Sequence, residues 1–256
     1  MIGDRRARAW LAATAVVFLA DIFLHLPITD FCDRLATRYG FTEYDSAMRA
    51  GFLLIGACTF ATIWVWPSGH RLLVGLTMTF LAGLMLLAHR LIVVNAVESV
   101  HYPQYALIVL LLAPAVGNLE IAWIGASILG AIDEGYQARF LPRGAPDYFD
   151  WNDVVLNAIG AAVGVVIVVT FTRIARRPLR HPAGLRWAIA VAAVVIALVV
   201  APPVWSPFFE TTPGGRLFHR LTASEAMVVL TVIYALVMTV RRISQPRDPA
   251  SPARPR

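Results

Sequence analysis

Lysine is absent from this chain of 256 residues, and charged residues of every kind are scarce. Charged side chains make up 15% of the sequence, whereas a soluble domain usually carries about 25%. Hydrophobic residues make up 58%, and the mean hydropathy is +0.67. This shortage of charge argues against an ordinary soluble enzyme and predicts a polytopic membrane protein.

The sequence also lacks the short motifs of several enzyme classes. It contains no G-x-S-x-G nucleophile elbow, no H-E-x-x-H zinc motif and no phosphate-binding glycine loop. Its two cysteines are Cys32, which we expect in a polar loop, and Cys58, which lies inside an apolar run. Because the two should lie at different membrane depths, no disulfide between them is expected.

About eight apolar runs are long enough to cross a membrane, which takes roughly 20 mainly apolar residues. The runs are continuous rather than alternating, so they predict helices and not strands. We expect the first run to be a retained helix, because no small-residue cleavage site follows it. The predicted spans are Trp10–Leu26, Met48–Trp66, Leu72–Val94, Val97–Val116, Leu119–Gln137, Asp153–Phe171, Trp187–Val204 and Glu225–Val240.

Arginine alone supplies the basic charge, and its distribution predicts the orientation of the chain. With eight spans and a cytoplasmic N-terminus, fourteen of the 22 arginines fall on the inner side, including the segment TRIARRPLRHPAGLR. The positive-inside rule therefore predicts that both termini are cytoplasmic and that the chain is a multi-pass protein of the plasma (inner) membrane. The net charge of +6 is thus interpreted as a topology signal, and no nucleic-acid partner is expected.

The densest polar chemistry lies near the ends of predicted spans. His101 is 17 residues before Asn118, and Glu134 is 16 residues after it. At about 1.5 Å of rise per residue, both lie about 25 Å from the turn that joins two antiparallel helices. They should therefore share one depth near the outer membrane boundary. Asn118 and Glu120, at the inner turn, are interpreted as ordinary loop polarity.

Helical periodicity groups the polar residues into three stripes, which we expect to face other helices rather than lipid. Glycines at the GxxxG spacing of the third stripe predict close helix packing. Burying such a polar set costs on the order of several kcal/mol unless its members pair, so it predicts a functional pocket. The stripes are Glu98, His101 and Tyr105 in the fourth span, Asp133, Glu134 and Gln137 in the fifth, and Asp153, Asn157, Gly160 and Gly164 in the sixth.

Each feature taken alone also has a purely structural interpretation. Asp153 is suited to the N-terminal cap region of its helix. Arg139 and Arg143 are suited to surface salt bridges with the neighbouring carboxylates. The GxxxG pattern is often a packing feature only.

Two segments, ESVHYPQYALIVLLL and GAIDEGYQARFLPRGAPDYFDWNDVVLNAIGAAVG, resemble the corresponding segments of VanZ-like membrane proteins. The resemblance covers roughly residues 72–172 and includes every residue of the three stripes together with Phe140, Pro142 and Arg143. The family is associated with low-level resistance to teicoplanin, which acts at the outer membrane face. The resemblance therefore implies a cell-envelope context and adds Arg143 to the candidate pocket.

The chain is thus expected to be an all-α helical membrane bundle in four parts. Residues 1–71 hold two N-terminal helices, 72–172 a VanZ-like core of four helices, 173–240 an arginine-rich inner loop and two further helices, and 241–256 a disordered basic tail.

Three functions stay open from the sequence. The first is a membrane protein whose outer pocket binds or modifies a lipid-linked cell-envelope amphiphile, with the bilayer and that amphiphile as its partners. The second is an intramembrane hydrolase or transferase that uses Glu134 or Asp133 with His101; the third is a small-solute transporter. No catalytic residue is assigned and no cofactor is expected. A single histidine among carboxylates without a recognised ligand spacing gives little support for a metal.

Overall fold

The computed structural model describes residues 2–65, 71–141, 149–171, 210–211 and 217–244, which are almost entirely helical. A 3-10 helix, Ala96–Val100, precedes the fourth α-helix, and β1 (Glu210–Thr211) pairs antiparallel with β2 (Leu217–Phe218). The α-helices in the described residues are α1 (Ile2–Tyr39), α2 (Phe41–Val65), α3 (Arg71–Leu91), α4 (His101–Val116), α5 (Leu119–Phe140), α6 (Trp151–Phe171) and α7 (Ala223–Ser244).

Six of these helices, all except α5, are long and apolar enough to cross a membrane. The prediction of an all-α chain is therefore confirmed for the described residues, and so is the prediction of helices long and apolar enough to span a membrane. Helix α5 has 22 residues, but its polar stretch from Asp133 to Gln137 lowers its hydropathy. The predicted span Trp187–Val204 and nearly all of the predicted tail lie outside the described residues.

Helix α1 is much longer than the predicted span Trp10–Leu26. It continues through Pro27 to Tyr39, so the prediction that Cys32 lies in a loop is wrong. The helix ends only at Gly40, whose φ of +92° lies in the left-handed region that suits glycine. Helix α2 then begins at Phe41. Cys32 and Cys58 are not bonded to each other.

The boundary between α3 and α4 also differs from the prediction, and the difference changes where Glu98 lies. Helix α3 ends at Leu91, and Glu98 belongs to the 3-10 helix rather than to α4. Pro103 lies in the first turn of α4, where its missing N–H leaves no helical hydrogen bond unmade. The 3-10 helix runs directly into α4, and the two together form the span Ala96–Val116.

Helix α6 is the central helix of the bundle, and it packs against α3, α4, α5 and α7. It approaches α4 most closely at Gly160 and Gly164. A Cβ atom at Gly160 would lie 2.6 Å from the backbone oxygen of Tyr102, and one at Gly164 would lie 2.7 Å from that of Ala106. Since both contacts are with backbone atoms, only glycine permits this separation of the two helices.

Helices α1 and α2 surround this core only in part and expose large apolar side chains. Phe23 is 68% exposed and Leu54 is 65% exposed. In a membrane such faces contact lipid chains, because the bilayer interior solvates apolar side chains.

Glu120, at the start of α5, connects that helix to α7. It is not the ordinary loop residue that the sequence suggested. Its side chain is buried, accepts a 2.6 Å hydrogen bond from the Tyr234 hydroxyl and forms an ion pair with Arg241. Asn118 caps α5, because its Oδ1 accepts from the backbone N–H of Glu120 at 2.9 Å. These contacts attach the start of α5 to α7.

Candidate functional site

Three helices bring His101, Glu134 and Asp153 together at one end of the bundle. His101 is the first residue of α4, Glu134 lies near the end of α5, and Asp153 lies in the first turn of α6. One ligand atom from each residue lies within 4.8 Å of the other two. His101 Nε2 is 3.6 Å from Asp153 Oδ2, which is an electrostatic contact but longer than a hydrogen bond. We call His101, Glu134 and Asp153 the triad.

Gln137 lies one turn beyond the acidic pair of α5 and orients both carboxylates. Its Nε2 donates to Asp133 Oδ2 at 3.0 Å and to Glu134 Oε1 at 3.3 Å. The side chains of Asp133 and Glu134 are both buried. Helix α5 therefore supplies two adjacent carboxylates that are held in place by one amide.

Tyr105 and Asn157 lie one helical turn deeper than the triad. Tyr105 follows His101 by four residues and Asn157 follows Asp153 by four, so each lies beneath a triad member on its own helix. Asn157 packs over Gly130 of α5, where an added Cβ would be 2.8 Å from Asn157 Nδ2. Both side chains are completely buried, and they form the floor of the site.

Six buried polar side-chain atoms near the triad have no hydrogen-bond partner among the described residues. A buried polar group without a partner costs about 1–3 kcal/mol, and native proteins keep few of them. Here they concentrate in one place, which favours a binding site over a structural polar core. The atoms are His101 Nδ1, Tyr102 Oη, Tyr105 Oη, Asp133 Oδ1, Asn157 Nδ2 and Asn157 Oδ1.

The remaining predicted site residues have other environments. The carboxylate of Glu98 accepts hydrogen bonds from the backbone N–H groups of Val94 at 2.7 Å and Asn95 at 3.1 Å. It therefore stabilises the turn that leads into α4. Arg143 lies outside the described residues, and Arg139 is exposed at the end of α5.

Asn152 is buried beside the triad and was not among the predicted site residues. Its Nδ2 donates to the backbone oxygens of Ile92 at 3.0 Å and His219 at 3.1 Å, and its Oδ1 accepts from the N–H of Leu221 at 2.8 Å. These bonds join the end of α3, the start of α6 and the entry to α7. No sequence signal distinguishes Asn152 from a helix cap, because all three partners are distant in the chain.

Asp150, just before α6, adds negative charge beside the site. Its Oδ1 accepts from the backbone N–H of Asn152 at 2.9 Å. Burial, together with the nearby Asp153 carboxylate, raises the pKa of the Asp150 carboxyl to about 7. The loop residue thus adds to the accumulation of acidic groups at this end of the bundle.

Comparison with protein-family models, with curated proteins and with solved structures gives no match for this chain.

Proposed function

We propose that the chain is a VanZ-like integral membrane protein whose buried polar site binds the head group of a lipid-linked cell-envelope amphiphile, with a link to teicoplanin resistance. The observation that carries this proposal is the group of unpartnered polar atoms beside the triad. Such atoms regain their lost hydrogen bonds when a polar ligand enters.

The chemistry of the site suits a head group with hydroxyl, amide or similarly mixed polar groups. Asn157 offers both a donor and an acceptor, the Tyr105 hydroxyl offers both, and Asp133 Oδ1 offers an acceptor. The exposed apolar faces of α1 and α2 suit the hydrocarbon chains of an amphiphile. A molecule with a polar head and an apolar tail matches both surfaces.

The proposed orientation places eight spans in the plasma membrane, both termini in the cytoplasm and the polar site on the outer side. Its support is the inner-side excess of arginine. Reporter fusions at the C-terminus test it, with a cytoplasm-active fluorescent protein expected to be active and a periplasm-active phosphatase inactive. The reverse pattern would contradict the orientation.

A second candidate is an intramembrane hydrolase or transferase, and the contact between His101 and Asp153 favours it. A carboxylate beside one ring nitrogen of a histidine orients the ring and stabilises its charged form, as in acid–base catalysis. In this candidate Glu134 or Asp133 works with His101 on the bound amphiphile. The reacting group would lie within reach of the triad.

The proposed function is tested by expressing the wild type and variants in a teicoplanin-susceptible bacterium and comparing both susceptibility and lipid extracts. We expect the wild type to lower susceptibility and Asn157→Ala to abolish that effect. Glu225→Gln is the matched control: Glu225 caps α7 through Thr222 and pairs with His219, and the one oxygen of glutamine can keep the capping box while the ion pair with His219 is lost.

Lipid masses separate the two candidates. Binding alone predicts that lipid extracts keep the same masses with and without the chain, whereas catalysis predicts a new mass that Glu134→Gln removes. If wild type and Asn157→Ala confer the same susceptibility as an empty vector, the proposed link to teicoplanin is wrong.

A further inference from the structure

The triad has the composition of a metal site, for which the spacing of these residues in the chain offered little support. One imidazole nitrogen and two carboxylate oxygens, each from a different helix, come within 4.8 Å of one another. We infer that His101, Glu134 and Asp153 bind a divalent metal ion, and that Zn²⁺ fits this ligand set best.

The distances suit a metal centre after small side-chain movements. Zinc bonds to histidine nitrogen and carboxylate oxygen are about 2.0–2.2 Å, so two ligand atoms in a tetrahedral site lie about 3.4 Å apart. The separation of 3.6 Å between His101 Nε2 and Asp153 Oδ2 is already close to that value. The Glu134 carboxylate has to move by no more than about 1.5 Å, which rotation about its side-chain bonds provides.

The balance of charge in the site also favours a bound metal ion. Glu134 and Asp153 bring two carboxyl groups into a buried site, and no arginine forms an ion pair with either within the described ranges of the chain. A divalent cation neutralises two carboxylates, and buried charges are otherwise very costly. Imidazole combined with carboxylate favours zinc over magnesium, which prefers oxygen ligands only.

The surroundings supply one outer contact of the kind that metal ligands need. Gln137 donates to Glu134 Oε1 and so fixes one carboxylate oxygen, leaving the other for the metal. His101 Nε2 is the ring nitrogen beside Asp153, and His101 Nδ1 has no partner among the described residues, so it is available to an outer hydrogen bond. Asn157 is fully buried, and neither of its amide atoms has a partner among the described residues. This is an independent indication that a polar ligand binds at this site.

Three protein ligands leave a fourth position of a tetrahedral zinc ion open. A head group bound at the neighbouring unpartnered atoms would supply that fourth ligand, so the metal would hold an oxygen atom of it. Metal binding itself needs only the three side chains and stands whether or not the amphiphile proposal is correct.

Metal binding is tested on the full chain purified in detergent, stripped with a chelator and then titrated with Zn²⁺ against a fluorescent zinc chelator. Bound metal is counted by mass spectrometry of the elements. We expect one zinc per chain for the wild type, and at least about 100-fold weaker binding for Glu134→Gln and Asp153→Asn, since loss of an outer contact alone costs roughly 10–100-fold.

Two variants serve as controls. Asp133→Asn removes the adjacent buried carboxylate that lies outside the triad, and we expect it to weaken binding less than Glu134→Gln does. Glu225→Gln should leave the zinc affinity unchanged. Cobalt substitution supplies a second readout, because visible absorption bands of tetrahedral Co²⁺ should appear in the wild type and not in Asp153→Asn.

The inference is overturned by any of three results. The first is a stoichiometry below about 0.2 zinc per chain at saturating Zn²⁺. The second is an unchanged zinc affinity in both Glu134→Gln and Asp153→Asn, and the third is that Mg²⁺ competes for the site as well as Zn²⁺ does. Monodisperse elution of each variant in size-exclusion chromatography ensures that loss of binding is not loss of fold. Failure of zinc binding leaves the amphiphile proposal standing, since susceptibility and lipid masses are measured separately.

Discussion

Two asparagines of α6 illustrate, at the scale of single residues, how structural and functional polarity differ. Asn152 and Asn157 are five positions apart and both are buried. Asn152 makes three hydrogen bonds to distant backbone groups, whereas neither side-chain atom of Asn157 has a partner among the described residues. The first is expected to stabilise the fold, and the second to serve a ligand at some cost in stability.

Substituting valine at the two positions should therefore have opposite effects. Asn152→Val should lower the free energy of unfolding by about 2–4 kcal/mol, because it removes three hydrogen bonds to backbone groups. Asn157→Val should leave that free energy unchanged or raise it by about 1 kcal/mol, because it removes an unpaired polar group. Denaturant titration in mixed micelles measures both, and an equal loss in both variants would show that Asn157 is structural.

Glu120 and Arg241 provide a second test at this scale. The glutamate is buried, but the arginine side chain is 20% exposed, so solvent weakens the pair. A double-mutant cycle with Glu120→Gln and Arg241→Gln should give a coupling free energy of about 1–3 kcal/mol. A coupling free energy below about 0.3 kcal/mol would mean that this contact does not hold the start of α5 to the end of α7.

At the scale of elements, the position of His101 depends on the glycine contact between α4 and α6. Gly160 packs against the backbone oxygens of His101 and Tyr102, so the separation of the two helices also sets the separation of His101 from Asp153. A larger residue at Gly160 pushes α4 outward and moves the histidine away from the carboxylates.

Gly160→Ala should therefore destabilise the chain by about 1–3 kcal/mol through overpacking and also weaken ligand binding at the triad. Gly83→Ala is the matched control: a Cβ at Gly83, on the exposed face of α3, meets nothing within 4 Å. Alanine there should raise stability by up to about 1 kcal/mol, since it favours the helix. Equal thermal midpoints for the two variants would contradict the packing argument.

Sequence patterns predicted these elements unevenly, for physical reasons. Continuous apolar runs predicted the helices of the described core, because lipid-facing and core-facing residues of a spanning helix are both apolar. Counting residues from the turn at Asn118 placed His101 and Glu134 at one depth, and the structure has them within ligand distance. Helix ends were less predictable: Pro27 did not end α1, and a 3-10 turn that contains Glu98 precedes α4.

Contacts between distant segments could not be predicted at all. Asn152 is bonded to residues 60 and 67 positions away, and Glu120 is bonded to residues 114 and 121 positions away. No local pattern records such partners. The choice of Asp153 over Glu98 as the carboxylate nearest His101 likewise depends on how α6 packs against α4.

At the scale of the whole molecule, the two ends of the bundle have different polar chemistry. At one end Glu120 has partners for its charge, and at the other end six buried polar atoms of His101, Tyr102, Tyr105, Asp133 and Asn157 have no hydrogen-bond partner among the described residues. Satisfied polarity fixes helices relative to one another, whereas unsatisfied polarity at lipid depth is suited to binding. The central claim is that this second end binds a polar head group.

Native mass spectrometry of the chain released from gentle detergent tests that claim most directly. We expect the wild type and Glu225→Gln to carry a discrete lipid adduct of one mass, and the double variant Glu134→Gln with Asn157→Ala to lose it while remaining folded. The same adduct at the same occupancy in that double variant would contradict the claim that the buried polar site binds the lipid.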